Sequence, residues 1–557
     1  VKMLMTVACV SFAALAVVAD YIPEPQPVKS DIEIHALYYP GTECRHEWDM
    51  VEQVTPEVKP ILGWYDEGDP WNVDWQIKWA VEHGITAFSV CWYWNRGVQR
   101  LDHWVKAYYR ARYRKYLKWY VMYANHNAPG THSTADQIAV TKFWIDNYFK
   151  TPEYYTIDGK PVVVYCSSWW NLDCDFINEA KAKGEDLKRG EGARRAMEIS
   201  ERLAREAGLK GIYWVNMRWL RQDFDFAPEI ADFVRRAGFN SEVSYNLGGR
   251  TPYRMSPELL SEKDRPRYVP YSLMEAAAIK IANGETEVAG VPFWPMITTG
   301  YDDTDRSFQR AWVVHGFNPC AFRGTCEKIR GICERRGLKR VMVSPINEWQ
   351  EGSHIELNEE FGFAMYDALR DVFCKRPADG WPENVTPKSL KMPLHEFPPM
   401  YYSPVQSWEF AAGREGWYRQ PFGTPKVEWA DGKLKFVTVR SDQFHIRQRM
   451  VPFVASKYKS FLVRMRIVPN GVIKEGKETN RMRLTWGTRE DPIIGLYHAV
   501  DFDRQVASCP VNADGEWHEY ELKLSDNAFW KGDVNELWFE AINRSHAEVE
   551  IDRMKFL

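Results

Sequence analysis

Hydrophobic positions fall into two regimes along the chain. Up to about residue 376, short unbroken apolar runs alternate with longer stretches that mix charged and apolar residues at helical spacing. The runs occupy 33–40, 85–94, 117–126, 161–168, 211–217, 240–247, 291–300 and 340–349, and amphipathic stretches such as 72–82, 133–149, 191–207 and 307–317 lie between them. A strand that is apolar on both faces belongs in a parallel sheet covered on both sides, and intervening helices supply the cover. Eight such units over residues 31–376 predict an α/β fold, a closed (β/α)8 TIM barrel. An open doubly wound sheet is the competing arrangement, but no glycine-rich phosphate loop follows the first run. The sixth run is the most polar, and Gly248-Gly249 follows it directly.

Beyond residue 404 the pattern changes to period two. Segments 433–440, 460–468, 481–488, 516–524, 534–542 and 548–556 alternate apolar with charged residues, with Ala430-Asp431-Gly432 and Ala513-Asp514-Gly515 as turn signals. This predicts an all-β sandwich of jelly-roll type over 405–557, resembling the non-catalytic modules attached to polysaccharide-degrading enzymes. Between the two regimes, 377–404 carries seven prolines and little periodicity, the composition of an extended linker lying on a surface. At the other end, Lys2 precedes an apolar run over 3–18, and Val17-Val18-Ala19 puts small residues ahead of Asp20. That pattern predicts a signal peptide over 1–19, too short and too weakly flanked for a membrane span. The expectation is therefore a soluble chain, secreted or periplasmic, with no integral membrane segment after processing.

Charge narrows the partners. Lys+Arg number 72 and Asp+Glu 76, a net charge of −4, so the basic excess that a general nucleic-acid or anionic-membrane partner requires is missing. Of ten cysteines, Cys9 falls in the expected signal segment. None of the others forms a CxxC pair, and Cys320, Cys326 and Cys333 are spaced unlike a zinc site. Cys91 and Cys166 sit inside apolar runs and read as buried thiols; one disulfide elsewhere stays compatible with the count. The 25 Trp, 28 Tyr and 27 Phe suit the apolar faces of sugar rings and equally suit cores.

The working face of a parallel barrel is the C-terminal end of its strands. Tyr39 stands there after the first run, Trp92 and Trp94 after the second, Asn125 and His126 after the third, and Trp169 after the fourth. Asn216 and Trp219 follow the fifth, Tyr301 and Asp302 the seventh, and Asn347, Glu348, Trp349 and Glu351 the eighth. A core has no need of amides and carboxylates at one end of its strands, so these residues point to a cleft that stacks on rings and binds hydroxyls: a polysaccharide or oligosaccharide site. His126 either binds substrate or is a hydrogen-bonded core histidine. The basic run 106–118 reads as a solvated helix face, and Asp173 and Asp175 as a turn. In Asn347-Glu348-Trp349-Gln350-Glu351-Gly352, two carboxylates three residues apart span the last turn. Glycoside cleavage needs such a pair, one protonated and one ionised. The same spacing also serves a capping box or a surface acidic pair.

Four stretches carry a family resemblance: residues 34–40 (Ile-His-Ala-Leu-Tyr-Tyr-Pro), 63–70 (Gly-Trp-Tyr-Asp-Glu-Gly-Asp-Pro), 299–306 (Thr-Gly-Tyr-Asp-Asp-Thr-Asp-Arg) and 347–356 (Asn-Glu-Trp-Gln-Glu-Gly-Ser-His-Ile-Glu). The chain resembles the glycoside hydrolase family 99-like group, which includes WbsX-type proteins and endo-α-mannosidases. The resemblance implies a (β/α)8 barrel and retaining hydrolysis without metal or other cofactor. It implies Glu348 as the base that deprotonates the sugar's own 2-hydroxyl, giving a 1,2-anhydro intermediate, and Glu351 as acid/base. It further implies Tyr39 and Trp64 as a first-loop motif and Tyr301 and Asp302 as a substrate-side motif. The loop after Pro40, Gly-Thr-Glu-Cys-Arg, differs from the mannosidase pattern, and Cys91-Trp92-Tyr93-Trp94-Asn95 leans toward the WbsX-type branch, which leaves the sugar open. A non-catalytic glycan-binding protein and a polysaccharide-assembly enzyme are the alternatives on this scaffold. Oligomeric state is not encoded in any motif.

Overall fold

All eight apolar runs form parallel strands in the computed structural model: β1 (Glu33–Tyr38), β2 (Ile85–Asn95), β3 (Lys118–Tyr123), β4 (Lys160–Cys166), β5 (Tyr213–Arg218), β6 (Ser241–Ser244), β7 and β8 (Arg340–Ser344). Strand β7 comes in two pieces, Phe293–Trp294 and Met296–Thr298, separated by Pro295. Proline has no N–H to give a ladder, so a central strand breaks where it falls. The first piece pairs with β6 (Trp294 opposite Val243) and the second with β8 (Met296 opposite Met342), while the Pro295 carbonyl accepts from Met342 N at 2.8 Å. With β8 also paired to β1, each strand bonds to the next and the ring closes as a (β/α)8 barrel. The structure describes residues 21–125, 130–166, 171–218, 228–245, 267–285, 290–304, 311–419, 427–438, 445–469, 480–491, 493, 504–543 and 547–557. The expected signal segment 1–19 and the candidates His126, Trp169 and Trp219 lie outside those residues.

Helices follow the strands in turn: α1 (Pro70–Glu82), α2 (His103–Arg110), α3 (Thr134–Trp144), α4 (Leu172–Ala182), α5 (Glu191–Glu206), α6 (Pro228–Ala237), α7 (Tyr271–Lys280), α8 (Pro319–Arg336) and α9 (Ala364–Phe373). One helix expectation is corrected. Within 307–317, Trp312–His315 is a strand, paired in parallel with Arg267–Pro270 beside the barrel. Its Trp-Val-Val core favours an extended chain. The true helix start comes later, where the Asn318 side chain accepts from the amides of Cys320 and Ala321 and Pro319 takes the first helical position.

The C-terminal unit has its own hydrophobic core between two antiparallel sheets. One carries Glu428–Ala430, Lys433–Val437, Ala547–Phe556, Ser460–Pro469 and Trp517–Lys523, with Ser407–Trp408 beside them; the other carries Tyr418–Arg419, Ile446–Val454, Asp533–Glu540, Arg481–Thr488 and Val506–Pro510. All six alternating segments are strands here. Ile446–Val454 escaped the pattern because Arg447, Gln448 and Arg449 are buried together in it. Arg449 serves a contact with the barrel, while Gln448 donates to the Glu415 carbonyl and Arg447 lies over Trp538 within the unit. Asp49, in a short helix of the β1–α1 loop, faces Arg449 at 3.7 Å and accepts from the Tyr418 hydroxyl at 3.2 Å, and the His46 ring stacks on Tyr418 with centroids 3.3 Å apart.

Residues 377–404 run along the barrel as a strap. The Trp79 indole donates to the Val385 carbonyl at 2.9 Å, His395 stacks on Trp71, and Phe397 N bonds to the Trp64 carbonyl. All nine described cysteines are free thiols, with Cys91 and Cys166 buried. No helix among the described residues is long and apolar enough to cross a membrane.

Candidate active site

The segment after β8 folds into a tight hairpin, in which Asn347–Glu348 pairs antiparallel with Ser353–His354 across a single helical turn, Trp349–Glu351. Glu348 therefore sits on the hairpin arm and Glu351 at its tip. Gly352 closes the turn at φ +52°, and a β-carbon there would meet the backbone N and O of Asp302 at 2.8–2.9 Å. Asp302 N in turn donates to the Glu351 carbonyl at 2.7 Å. Only glycine satisfies both the left-handed conformation and the close approach, so the Glu-Gly pair docks the hairpin tip onto the loop after β7. Asn347 anchors the other side. Its amide reads the Tyr39 backbone in both directions, accepting from N and donating to O at 2.8 Å each, and also donates to Glu67 Oε1 at 3.1 Å.

Strand alternation sets what faces the two carboxylates. Successive side chains of β2 point to opposite faces, so Ser89, Cys91 and Tyr93 share the barrel interior and Trp92 and Trp94 the outside. The Tyr245 hydroxyl, just past β6, donates to Glu348 Oε2. Burial pushes the pKa values of Tyr245, Tyr93 and Cys91 well up from their ordinary values, and the Glu348 and Glu351 charges push all three further. Both carboxylates thus bear on one patch of neutral hydroxyl and thiol groups at the mouth of the barrel.

Behind the hairpin lies a buried acidic network. Glu356 accepts from the Tyr65 hydroxyl at 2.7 Å and from Gln76 Nε2 at 2.8 Å, and burial raises its pKa to about 7 against those two hydrogen bonds. Glu67 accepts from the Tyr38 hydroxyl at 2.7 Å and from Thr42 N at 2.7 Å, with His103 Nε2 at 3.3 Å. Trp349 joins the network through its indole N–H, 3.4 Å from the Tyr65 hydroxyl, and stacks on His354.

The candidates divide accordingly. Tyr39, Asn347, Glu348, Glu351, Tyr301 and Asp302 come together around the hairpin, with the Tyr39 ring lying over Gly41, where a β-carbon would strike it at 2.4 Å. Trp349 is nearly fully buried and holds the hairpin from below. Trp92 and Trp94 stack on each other and pack on Phe143 in the strand–helix layer, their indoles reaching Tyr148 and Asp136. Asn125 is wholly buried, its amide set against the carbonyls of Tyr123 and Cys166. Asn216 shares the outward face of β5 with Trp214 and donates to Glu242 at 3.2 Å. Trp64 packs on Trp48 under the side chains of Lys59 and Arg45. Sequence reasoning passed over Tyr93, Tyr245, Glu67 and Glu356; parity along β2 was the available signal for Tyr93, and position at the end of the sixth run for Tyr245.

Comparison with known proteins adds the following. Residues 186–369 match the family model described as "Glycosyltransferase WbsX". No curated protein matches the chain. Among solved structures, a "Glycoside hydrolase-like protein" is similar at 16% identity and a TM-score of 0.43, covering 64% of this chain and 98% of that one. A GH99 endo-alpha-mannosidase from Bacteroides thetaiotaomicron is similar at 14% identity and a TM-score of 0.38, covering 60% and 95%. A single-residue mutant of the family 29 carbohydrate-binding module CBM29-2 is similar at 9% identity and a TM-score of 0.19, covering 27% and 83%.

Proposed function

We propose that this protein is an exported retaining glycoside hydrolase acting on a polysaccharide or complex glycan, with Glu348 and Glu351 as its working pair. The observation that carries the reading is that one hairpin holds both carboxylates at the barrel mouth, with the Tyr245 hydroxyl donating to Glu348. In the proposed reaction Glu348 takes the proton of the sugar's 2-hydroxyl, and that oxygen bonds to the anomeric carbon. The bond from that carbon to the leaving oxygen breaks as Glu351 delivers its proton. Glu351 then takes a proton from water, the hydroxide opens the 1,2-anhydro ring at the anomeric carbon, and Glu348 returns the proton to O2. Two inversions give net retention. Tyr245 orients Glu348 by holding one carboxylate oxygen, and Asn347, Gly352 and Trp349 fix the hairpin so that neither acid has to be repositioned during the reaction.

The test is a polysaccharide panel with wild type beside Glu351→Gln, products resolved by chromatography and anomeric configuration followed by proton NMR. Release with retained configuration, lost in the variant while binding persists, is the expected result. Binding without release by wild type, on a glycan carrying the authentic linkage, makes this a glycan-binding protein. A second reading, glycosyl transfer in polysaccharide assembly, is favoured by the family model matched over residues 186–369. It uses the same two carboxylates with a sugar hydroxyl in place of water. Products longer than the donor, formed with an acceptor sugar present, decide for it. Export rests on the apolar run over 3–18, and N-terminal sequencing of the mature protein, expected to begin at Asp20, tests it.

A further inference from the structure

Away from the hairpin, the loop that follows β1 forms one wall of a second cleft, of about 570 Å³, and the sandwich forms the other. Glu43 and His46 come from the loop; Tyr401, Arg414, Gly416 and Tyr418 come from the far side. Its floor is aromatic and its rim is charged with both signs. Tyr401 is 53% exposed, a large fraction for a tyrosine. It packs against Gly416, where a β-carbon would meet the ring carbons Cε1 and Cδ1 at 2.6 and 2.7 Å, and Gly416 itself sits at φ +87°. The ring thus rests against the Gly416 backbone at one edge and lines the cleft. His46 and Tyr418, stacked at an interplanar angle of 3°, brace the wall, and Asp49 holds the Tyr418 hydroxyl. The Arg414 guanidinium and the Glu428 carboxylate line the rim, and neither forms an ion pair among the described residues.

We infer that this cleft is a second glycan-binding site, for a neutral stretch of the same polymer whose bond is cut at the barrel mouth; the inference rests on the glycan reading above. An exposed aromatic ring in a concave surround accepts the C–H face of a pyranose, and a guanidinium beside carboxylates supplies both donors and acceptors to neutral hydroxyls. An anionic polymer would want an excess of cations, and here Glu43 and Glu428 offset Arg414. The site is also within reach of the chemistry. Glu43, on the cleft wall, follows Tyr39, at the mouth, by four positions, so the chain sets their α-carbons at most about 14 Å apart. That is a span of a few sugar residues. A polymer lying in both places gains avidity from the second contact and keeps its register relative to the hairpin.

The experiment is affinity electrophoresis of the full chain carrying Glu351→Gln, so that the polymer in the gel stays intact. The gels contain yeast α-mannan, dextran, birchwood xylan or hydroxyethylcellulose, and the added changes are Tyr401→Ala, Arg414→Ala and Tyr401→Trp. For a polymer that retards the parent, Tyr401→Ala weakens retardation about tenfold, the worth of one well-packed aromatic anchor. Arg414→Ala weakens it less, and Tyr401→Trp, which restores a platform, retains it. In an otherwise wild-type chain, Tyr401→Ala leaves cleavage of the shortest cut oligosaccharide unchanged. If Tyr401→Ala and Arg414→Ala both migrate as the parent does in a gel that retards it, the second site is refuted and the hydrolase reading stands. If the parent is retarded by no polymer and wild type cuts none, both fall together.

Discussion

Glu356→Gln isolates the electrostatics behind the hairpin that carries Glu348 and Glu351. The Glu356 carboxyl is buried on every side, accepts two hydrogen bonds, and still keeps its proton up to a pH of about 7, against an ordinary value of 4.5. A carboxyl whose folded pKa lies above its unfolded one binds more protons in the native state across the interval between the two. Stability therefore falls as pH rises from about 4.5 to about 7, and the full loss persists above that. The difference, 7 − 4.5 = 2.5, at about 1.36 kcal/mol for each pH unit, amounts to about 3 kcal/mol as an order of magnitude. Glutamine has the same shape and no charge to desolvate. Its carbonyl accepts from Gln76, and the Tyr65 hydroxyl turns to accept from its amide, so at pH 4 the variant should lie within about 1 kcal/mol of wild type. Raising the pH to 8 should then open a gap of about 3 kcal/mol in favour of the variant. Equilibrium urea unfolding of both proteins at pH 4, 6 and 8, followed by near-ultraviolet circular dichroism of the buried tryptophans, measures it. Other raised carboxyls, Asp74 and Glu82 among them, titrate in both proteins and cancel in the difference. A gap of equal size at all three pH values would refute the argument.

Three further outcomes are expected. Tyr245→Phe removes a donor to a carboxylate, worth about 1.5–3 kcal/mol, so steady-state kinetics should show kcat/KM lower by roughly ten- to a hundredfold with the melting temperature near wild type. Gly352→Ala forces a side chain onto the Asp302 backbone at a left-handed φ; the conformational part alone is about 1–3 kcal/mol, and calorimetry should show a lower melting temperature together with loss of product release. Trp92→Ala should destabilise by about 3–5 kcal/mol, as a buried aromatic does, while substrate KM stays at the wild-type value; a raised KM in folded protein would return Trp92 to the site.

The barrel was legible because strands buried on both faces leave continuous apolar runs, a signal that survives without any knowledge of neighbours. The hairpin was legible because it packs two acids and a glycine into six residues. What the runs conceal is direction. In Cys91-Trp92-Tyr93-Trp94 every residue is apolar or aromatic, so composition marks the tryptophans while the parity of β2 turns Tyr93 toward Glu348. Asn125 and Asn216 looked like ligands because amides are uncommon at strand ends, yet each settles a local hydrogen-bond need, Asn125 against the carbonyls of Tyr123 and Cys166 and Asn216 against Glu242. Glu67 and Glu356 lie 289 residues apart in the chain and meet only through Tyr38, Gln76 and Tyr65, a relation that no local pattern expresses. Ile446–Val454 hid for the opposite reason: its buried Arg449 pairs with Asp49 and Glu536, and its buried Arg447 lies over Trp538.

Because the two halves of β7 bond to different neighbours, the ring has a seam at Pro295. On one side of it the second half of β7, β8 and β1 form a plate that carries Asp302, the hairpin and Tyr39; on the other, β6 carries Tyr245. The hydrogen bond from Tyr245 to Glu348 spans that seam. Any breathing of the ring there changes this bond first, while Glu348, Glu351 and Asp302 keep their mutual spacing because they ride on the same plate. The protein thereby separates two tolerances: spacing between Glu348 and Glu351 is guarded by the plate, and the orientation of Glu348 is a gauge of whether the barrel is shut.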